Sequence, residues 1–178
     1  MLSVNKISKN IKDKKILDSV SFNVEFGSIC GLLGPNGAGK TSSFYIIAGL
    51  TTSDAGLIQL AGEDITNIPM HKRSKLGIKY LPQEPSIFQN LTVYENLHGL
   101  AELTFSSKDK IKNFIDESIE EFRLENICNL KGRQLSGGQR RKVEIARTLV
   151  SDPKMILLDE PFAGIDPIAI EDIKGVLR

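Results

Sequence analysis

Eight consecutive residues, Gly34–Thr41, have the types and spacing needed to hold phosphate. The glycines let the backbone turn with its N–H groups inward, Lys40 offers a point charge to the β- and γ-phosphates, and Thr41 offers a hydroxyl to Mg²⁺. The apolar run 29–33 predicts a buried strand before this loop, and Ser42 lies in a predicted helix. The segment therefore predicts nucleotide binding, by Asn36, Gly37, Ala38, Gly39, Lys40, Thr41 and Ser42.

A pair of carboxylates follows a second apolar run. Met155–Leu158 is predicted to be a short strand, and Asp159 and Glu160 come directly after it, at the end where α/β sheets place their ligands. Taken alone, an Asp-Glu pair is equally compatible with a surface turn. The phosphate loop upstream favours chemistry instead, with Asp159 holding Mg²⁺ and Glu160 orienting the attacking water of a phosphoryl transfer.

Leu135–Gln139 reads Leu-Ser-Gly-Gly-Gln at the start of a predicted helix. Taken alone, Ser136 is an N-cap worth about 1 kcal/mol. Together with the phosphate loop and the carboxylate pair, the motif resembles the signature of ATP-binding-cassette (ABC) proteins, over essentially the whole chain. The resemblance implies an α/β fold, a P-loop NTPase with a RecA-like ABC ATPase core, an N-terminal antiparallel β subdomain and an inserted α-helical subdomain.

The same resemblance implies roles for residues that carry no signal alone. Gln83, in Tyr80–Glu84, matches the glutamine loop that senses Mg²⁺ and the attacking water, and Ala163–Asp166 matches the D-loop. The signature of one subunit is expected to grip the γ-phosphate held by Lys40 of a second, so that a homodimer encloses two ATP. Implied residues are Glu160 and Gln83 for catalysis, Ser136, Gly137, Gly138 and Gln139 for ATP, and Thr41, Gln83 and Asp159 for Mg²⁺.

Three segments resemble one particular group of cassettes within this family. Those that begin at Gly31, Tyr80 and Leu158 are similar to the cassettes of lipopolysaccharide export transporters. Branched-chain amino-acid importers share much of the first segment, while Phe162–Pro167 favours lipopolysaccharide export. This similarity implies a transport-coupled ATP hydrolase on the cytoplasmic face of the inner membrane.

The implied partners are membrane-spanning subunits with a helix that docks in a groove near the glutamine loop. The candidate walls are the apolar residues after that loop, because they can receive a helix. Packing within the helical subdomain explains each of them equally well. They are Phe88, Leu91 and Tyr94.

Short strands and amphipathic helices must position these groups. Helical spacing dominates residues 91–150, and Thr92 and Glu95 have the spacing of a capping box. The other predicted strands are 2–7, 20–26, 57–60 and 78–81. We predict one domain, with 1–88 and 151–178 as the ATP-binding core and 89–150 as the helical signature subdomain.

Composition excludes several alternatives for this chain of 178 residues. The net charge of +1 supplies no broad basic field, so a nucleic-acid partner is not favoured. No stretch is apolar enough for a secretory leader or a membrane span. Arg140–Lys142 is interpreted as a solvated or phosphate-facing helix surface, which weakens a rival function in DNA repair or translation. Cys30 is expected to be a buried, reduced thiol.

Two departures from the family pattern are visible. Ile11 stands where cassettes usually carry an aromatic residue that stacks on adenine, so adenine selectivity is weakly specified. A switch histidine is expected after the carboxylate pair, whereas His71 and His98 both precede it. We therefore expect a truncated cassette that lacks a central strand and part of the core, and that hydrolyses ATP slowly.

Overall fold

The structure, a computed structural model, describes residues 1–163, 165 and 170. The chain forms two compact units. Unit 1 comprises Met1–Tyr80 and Lys154–Leu157, and unit 2 comprises Leu81–Pro153 with the described residues from Leu158 onwards. The predicted domain boundaries at residues 88 and 150 stay a prediction.

An antiparallel sheet of four strands forms most of unit 1. Its strands are β1 (Leu2–Ile11), β2 (Lys14–Val24), β3 (Ala55–Leu60) and β4 (Glu63–Asp64), in the order β2-β1-β3-β4. Leu2 pairs with both Val24 and Leu60, so β1 lies between its two neighbours. Leu2 and Val4 of β1 are buried, as the period of two predicts for a strand with one covered face, and a register shift between Val4 and Ile7 buries Ile7 three residues later.

The apolar face of this sheet shares a core with the first helix. Helix α1 (Lys40–Ala48) buries Ile46 and Ile47 in that core, and a short helix α2 (Met70–Lys75) follows β4. Helix α1 ends at Gly49, where φ is 80°, a left-handed value that favours glycine at a helix end.

Two further strands, β5 (Ile78–Leu81) and β6 (Met155–Leu158), pair with each other. The Gly77 carbonyl accepts from the Met155 amide at 3.1 Å, and the Leu81 carbonyl accepts from the Asp159 amide at 3.0 Å. From the first hydrogen bond to the second, the residue number rises in both strands, so β5 and β6 are parallel. The glutamine loop therefore leaves β5, and the carboxylate pair leaves β6, at the same end of this strand pair.

The run 29–33 was predicted to be a buried strand, and this prediction is wrong. It has no strand assignment, and the exposed fractions of Ile29 and Leu33 are 83% and 92%. Cys30, expected to be buried, is exposed as well. Within the described part of the chain no strand pairs with this run, and an extended segment without a partner leaves its backbone groups to water.

Unit 2 is mainly helical. Its helices are α3 (Val93–Thr104), α4 (Lys108–Glu121) and α5 (Gly137–Leu149), with two 3-10 turns at Glu125–Ile127 and Gly132–Gln134. The predicted capping box is present: the Thr92 hydroxyl accepts from the Glu95 amide, and the Glu95 carboxylate accepts from the Thr92 amide. Apolar residues of all three helices form one buried core.

Candidate functional site

The phosphate loop is shaped by close packing and by its own lysine. A Cβ on Gly39 would lie 2.5 Å from Leu17 Cδ2 and 2.9 Å from the Ile16 carbonyl, and its φ is 90°. Only glycine satisfies both conditions. The Lys40 ammonium donates to the carbonyls of Gly34 and Pro35 at 2.7 and 2.9 Å. The ammonium is therefore held over the loop to which helix α1 presents its positive end.

The opposite end of helix α1 is held by a buried arginine that no sequence pattern indicated. Arg73 has an exposed fraction of 1%, and its guanidinium donates to the carbonyls of Ile46 and Ile47 at 2.6 and 2.8 Å. It also donates to Thr66 and Ile68. A cation at the C-terminal carbonyls complements the helix dipole. Burial lowers the pKa of Arg73, but a guanidinium stays charged.

The signature residues open helix α5 in unit 2. The Ser136 hydroxyl accepts from the Gln139 amide at 3.2 Å, and the Gln139 side chain accepts from the Ser136 amide at 2.9 Å. This capping box uses the hydroxyl as an acceptor, so its O–H remains able to donate. The amides of Gly137 and Gly138 lie in the first turn, where the helix supplies no acceptor of its own.

The structure brings Gln83 and Glu160 together, although they are 77 positions apart. The side-chain amide of Gln83 donates from Nε2 to the Glu160 carboxylate at 3.0 Å, and both side chains are exposed. Glu160 has a φ of 44°, a left-handed value that costs a non-glycine residue free energy and that accumulates at functional sites. Asp159 beside it is buried, with an exposed fraction of 3%.

Comparison with known proteins identifies the family. The sequence profile described as ABC transporter matches residues 17–163. The chain belongs to the ABC transporter family. The lipopolysaccharide export system ATP-binding protein LptB of Haemophilus influenzae is 50% identical over 178 residues, which cover 99% of this chain and 74% of that protein. LptB of Escherichia coli K12 is 46% identical over the same shares.

Solved structures of ABC cassettes agree with the fold. The ADP conformation of MJ1267, an ATP-binding cassette of an ABC transporter, superposes with a TM-score of 0.89 at 31% identity, over 99% of this chain and 74% of that one. The dimeric MJ0796 cassette gives 0.87 at 26%, over 99% and 81%. The predictions of an ABC ATPase fold and of an ATP-hydrolysing, nucleotide-binding chain are confirmed.

The triplet Arg140–Lys142 of this ABC cassette is not a uniformly solvated surface. Arg141 has an exposed fraction of 5% and donates to three backbone carbonyls, so the interpretation as a solvated or phosphate-facing face is wrong for it. One signal could have revealed it: Val143, Ile145 and Ala146 mark the neighbouring buried face of α5.

The remaining predicted residues lie at the surface. Ile11 ends β1 with an exposed fraction of 54%. The three candidates for a docking groove, Phe88, Leu91 and Tyr94, are exposed by 53%, 39% and 41%. His98 stacks on Tyr94, with ring centroids 5.8 Å apart. Of the predicted D-loop, Gly164 and Asp166 lie outside the described residues.

Two absences concern the described residues alone. They contain no cluster of three or more His, Cys, Asp or Glu side chains suited to a metal ion. None of the helices they form combines the length and the apolar character needed to cross a membrane.

Proposed function

We propose that this chain is the ATPase subunit of a lipopolysaccharide export transporter. The observation that carries the proposal is the 50% identity to a LptB protein over 178 residues. The segment Leu158–Ala163, with Glu160 at its centre, and the complete phosphate loop supply the groups that such an ATPase needs.

The residues of the phosphate loop bind the nucleotide in this proposal. Lys40 moves its ammonium from the loop carbonyls to the β- and γ-phosphates, because phosphate oxygens carry full charge. The loop amides and the N-terminus of α1 complete the cradle. The proposed set is Asn36, Gly37, Ala38, Gly39, Lys40, Thr41 and Ser42, with Ile11 covering the adenine.

The donors expected for Mg²⁺ fit that ion. Mg²⁺ is commonly held by one or two protein oxygen ligands, because phosphate and water oxygens supply the others. Asp159 supplies the carboxylate, Thr41 the hydroxyl and Gln83 an amide oxygen. When bound, Mg²⁺ neutralises charge on the phosphates. Glu160 orients and polarises the attacking water, and its contact with Gln83 supports this role.

The signature residues serve a second copy of the chain. We propose that Ser136, Gly137, Gly138 and Gln139 form an anion cradle for the γ-phosphate bound to the other subunit. The first turn of α5 supports this, since a helix N-terminus with glycines presents amides to an anion. The homodimer is also supported by the dimeric MJ0796 cassette.

We place the docking site for membrane-spanning subunits at Phe88, Leu91 and Tyr94, on the cytoplasmic face of the inner membrane. Exposed aromatic and aliphatic side chains within seven consecutive residues of the chain favour an apolar helix as partner. The Phe88 ring lies 4.7 Å from the Arg147 guanidinium, which holds it in place while it remains exposed.

Nucleotide binding is tested first with Lys40→Ala and Glu160→Gln. Lys40→Ala should weaken ATP affinity at least about tenfold, because it removes a charge-assisted contact. Glu160→Gln should retain ATP and lower turnover about 10²-fold or more, because it removes the group that orients water. Fluorescent ATP titration and phosphate release measure the two effects. Unchanged ATP affinity in Lys40→Ala would refute the proposed nucleotide site.

The transported substrate needs a reconstituted complex. The tagged protein is purified from detergent-solubilised membranes of its own organism with any associated membrane-spanning subunits, and placed in vesicles. ATP should drive labelled lipopolysaccharide from these vesicles, and Glu160→Gln should not. ATP-driven uptake of a branched-chain amino acid, or recovery with ribosomes or DNA instead of membrane subunits, would contradict lipopolysaccharide export.

The docking site is tested in the same purification from detergent-solubilised membranes. Phe88→Ala should reduce the membrane subunits recovered with the protein, because it removes the central aromatic contact. Leu103→Ala is the matched control, since Leu103 is another exposed apolar residue of unit 2, at 84%. Equal recovery with both variants would contradict the proposed groove.

A further inference from the structure

One buried side chain contacts both chain segments that carry the proposed catalytic groups. Arg141 Nη1 donates to the Pro82 carbonyl at 2.8 Å, next to Gln83 in the chain. Its Nε donates to the Pro161 carbonyl at 3.0 Å and its Nη2 to the Asp159 carbonyl at 3.3 Å, on either side of Glu160. We propose that Arg141 is a positioning residue for ATP hydrolysis, which fixes Gln83 and Glu160 at their mutual contact.

A carboxylate of the same helix completes the arrangement. Glu144 Oε2 accepts from Arg141 at 3.1 Å, and Glu144 Oε1 accepts from the Ser86 amide at 2.7 Å. The two side chains have exposed fractions of 6% and 2%, so water screens their charges little. The pair therefore holds the glutamine loop at Pro82 and the segment directly after it at Ser86.

The planar fork of arginine explains why this residue type is present. Three carbonyls and one carboxylate lie around a single guanidinium, whose donors point in fixed directions in one plane. A lysine ammonium has three donors and no plane, so it cannot reproduce this geometry. Glu160 needs such support, because its backbone has a left-handed φ of 44° that neighbouring contacts must maintain.

The position of Arg141 on α5 gives the contact a second consequence. Helix α5 begins at the signature, and Arg141 lies in its second turn. A shift of the signature end therefore moves the guanidinium and, through the carbonyls, both loops. Contact of the signature with nucleotide on a second subunit would in this way align Gln83 and Glu160. The inference rests on the proposed function of Glu160 and adds the residue that controls it.

The test is a double-mutant cycle on the purified full-length protein. Arg141→Lys and Arg141→Met are made alone and in the Glu160→Gln background, with Arg123→Met as the control for losing an exposed arginine of the same unit. Turnover, KM and the Kd for fluorescent ATP are measured. In the wild-type background, Arg141→Met should lower kcat about 10²-fold, the cost of a misplaced catalytic group, and change Kd less than about threefold.

Non-additivity distinguishes positioning from a loss of folded protein. In the Glu160→Gln background, Arg141→Met should have almost no further effect on kcat, because the group it positions is already absent. A structural role alone would lower kcat by the same factor in both backgrounds, and that outcome would overturn the inference. Full turnover in Glu160→Gln itself would instead overturn the proposed function.

A further pair of variants covers the case in which Arg141→Met fails to fold. Arg141→Met with Glu144→Gln leaves no unpaired buried charge, and Arg141→Lys keeps the charge. Hydrogen exchange should rise at the backbone N–H groups of 83–88 and 159–163, apart from Pro85 and Pro161, in either variant, and stay unchanged in α3 and α4. A uniform rise in hydrogen exchange across unit 2 would contradict a positioning role, and so would wild-type kcat in both variants.

Discussion

Each unit contains a buried arginine that donates to backbone carbonyls, and the two act on different kinds of structure. In unit 1, Arg73 binds four carbonyls, two of them at the end of helix α1, and no carboxylate of the described chain lies within ion-pair distance. In unit 2, Arg141 binds three carbonyls in two loops and is paired with Glu144.

The difference follows from where the chemistry lies in the sequence. The phosphate-binding groups are contiguous, so unit 1 needs only a rigid helix with a well-packed end. Gln83 and Glu160 are far apart in the chain, so unit 2 needs a side chain that reaches both segments. Arg73 should therefore contribute mainly to stability, and Arg141 mainly to turnover.

Replacing Arg73 should give the greatest loss of stability, and it tests whether this arginine has a structural role. Arg73→Met should lower the free energy of unfolding by about 3 to 5 kcal/mol, because it removes the guanidinium that donates to four carbonyls. Urea denaturation measures the change. Arg123→Met should cost less than about 0.5 kcal/mol, since Arg123 is exposed. Equal values for the two variants would remove the structural role of Arg73.

A smaller loss of stability is expected from replacing Gly39 in the phosphate loop. Gly39→Ala should cost about 2 to 4 kcal/mol, because a methyl group meets Leu17 and Ile16 while φ stays at 90°. Gly27→Ala is the matched control, with φ of 68° and open space around its Cβ, and should cost about 1 kcal/mol. If both cost the same in urea denaturation, the close packing against β2 is not what requires glycine.

Replacing two helix caps in unit 2 distinguishes an effect on stability from an effect on ATP turnover. Ser136→Ala and Thr92→Ala each remove a capping box and should each cost about 1 kcal/mol of unfolding free energy. ATP turnover should fall roughly tenfold for Ser136→Ala alone, because its hydroxyl is proposed to contact phosphate. A similar fall for Thr92→Ala would mean that the signature serine acts only as a cap.

The smallest effect concerns acid stability of unit 1. The hydrogen bond from the Lys9 ammonium, followed by that from the Asn10 amide, lowers the pKa of Asp54 below its ordinary value of 3.8. Its contribution is therefore complete above 3.8 and is lost as pH falls through the lower folded pKa. Asp54→Asn should flatten the dependence of the urea midpoint on pH below about 4, and so should Lys9→Met. An unchanged slope would exclude this contact.

Much of the local structure was predictable because its causes are local. The cap at Thr92, the end of α1 at Gly49 and the strand before Asp159 follow from side-chain types within a few residues of each. The run 29–33 was not predictable in the same way. Its apolar composition favours a strand, but a strand forms only where a neighbour accepts and donates its backbone hydrogen bonds.

The sequence was enough to locate the phosphate loop, the carboxylate pair and the signature, because their spacing along the chain is the spacing that the chemistry needs. Only the folded chain brings Gln83 to Glu160 and buries Arg73 and Arg141. From sequence alone, a basic residue in a helix is predicted to have a solvent-exposed side chain. Only the fold determines which carbonyls lie near enough to replace the water that its guanidinium loses.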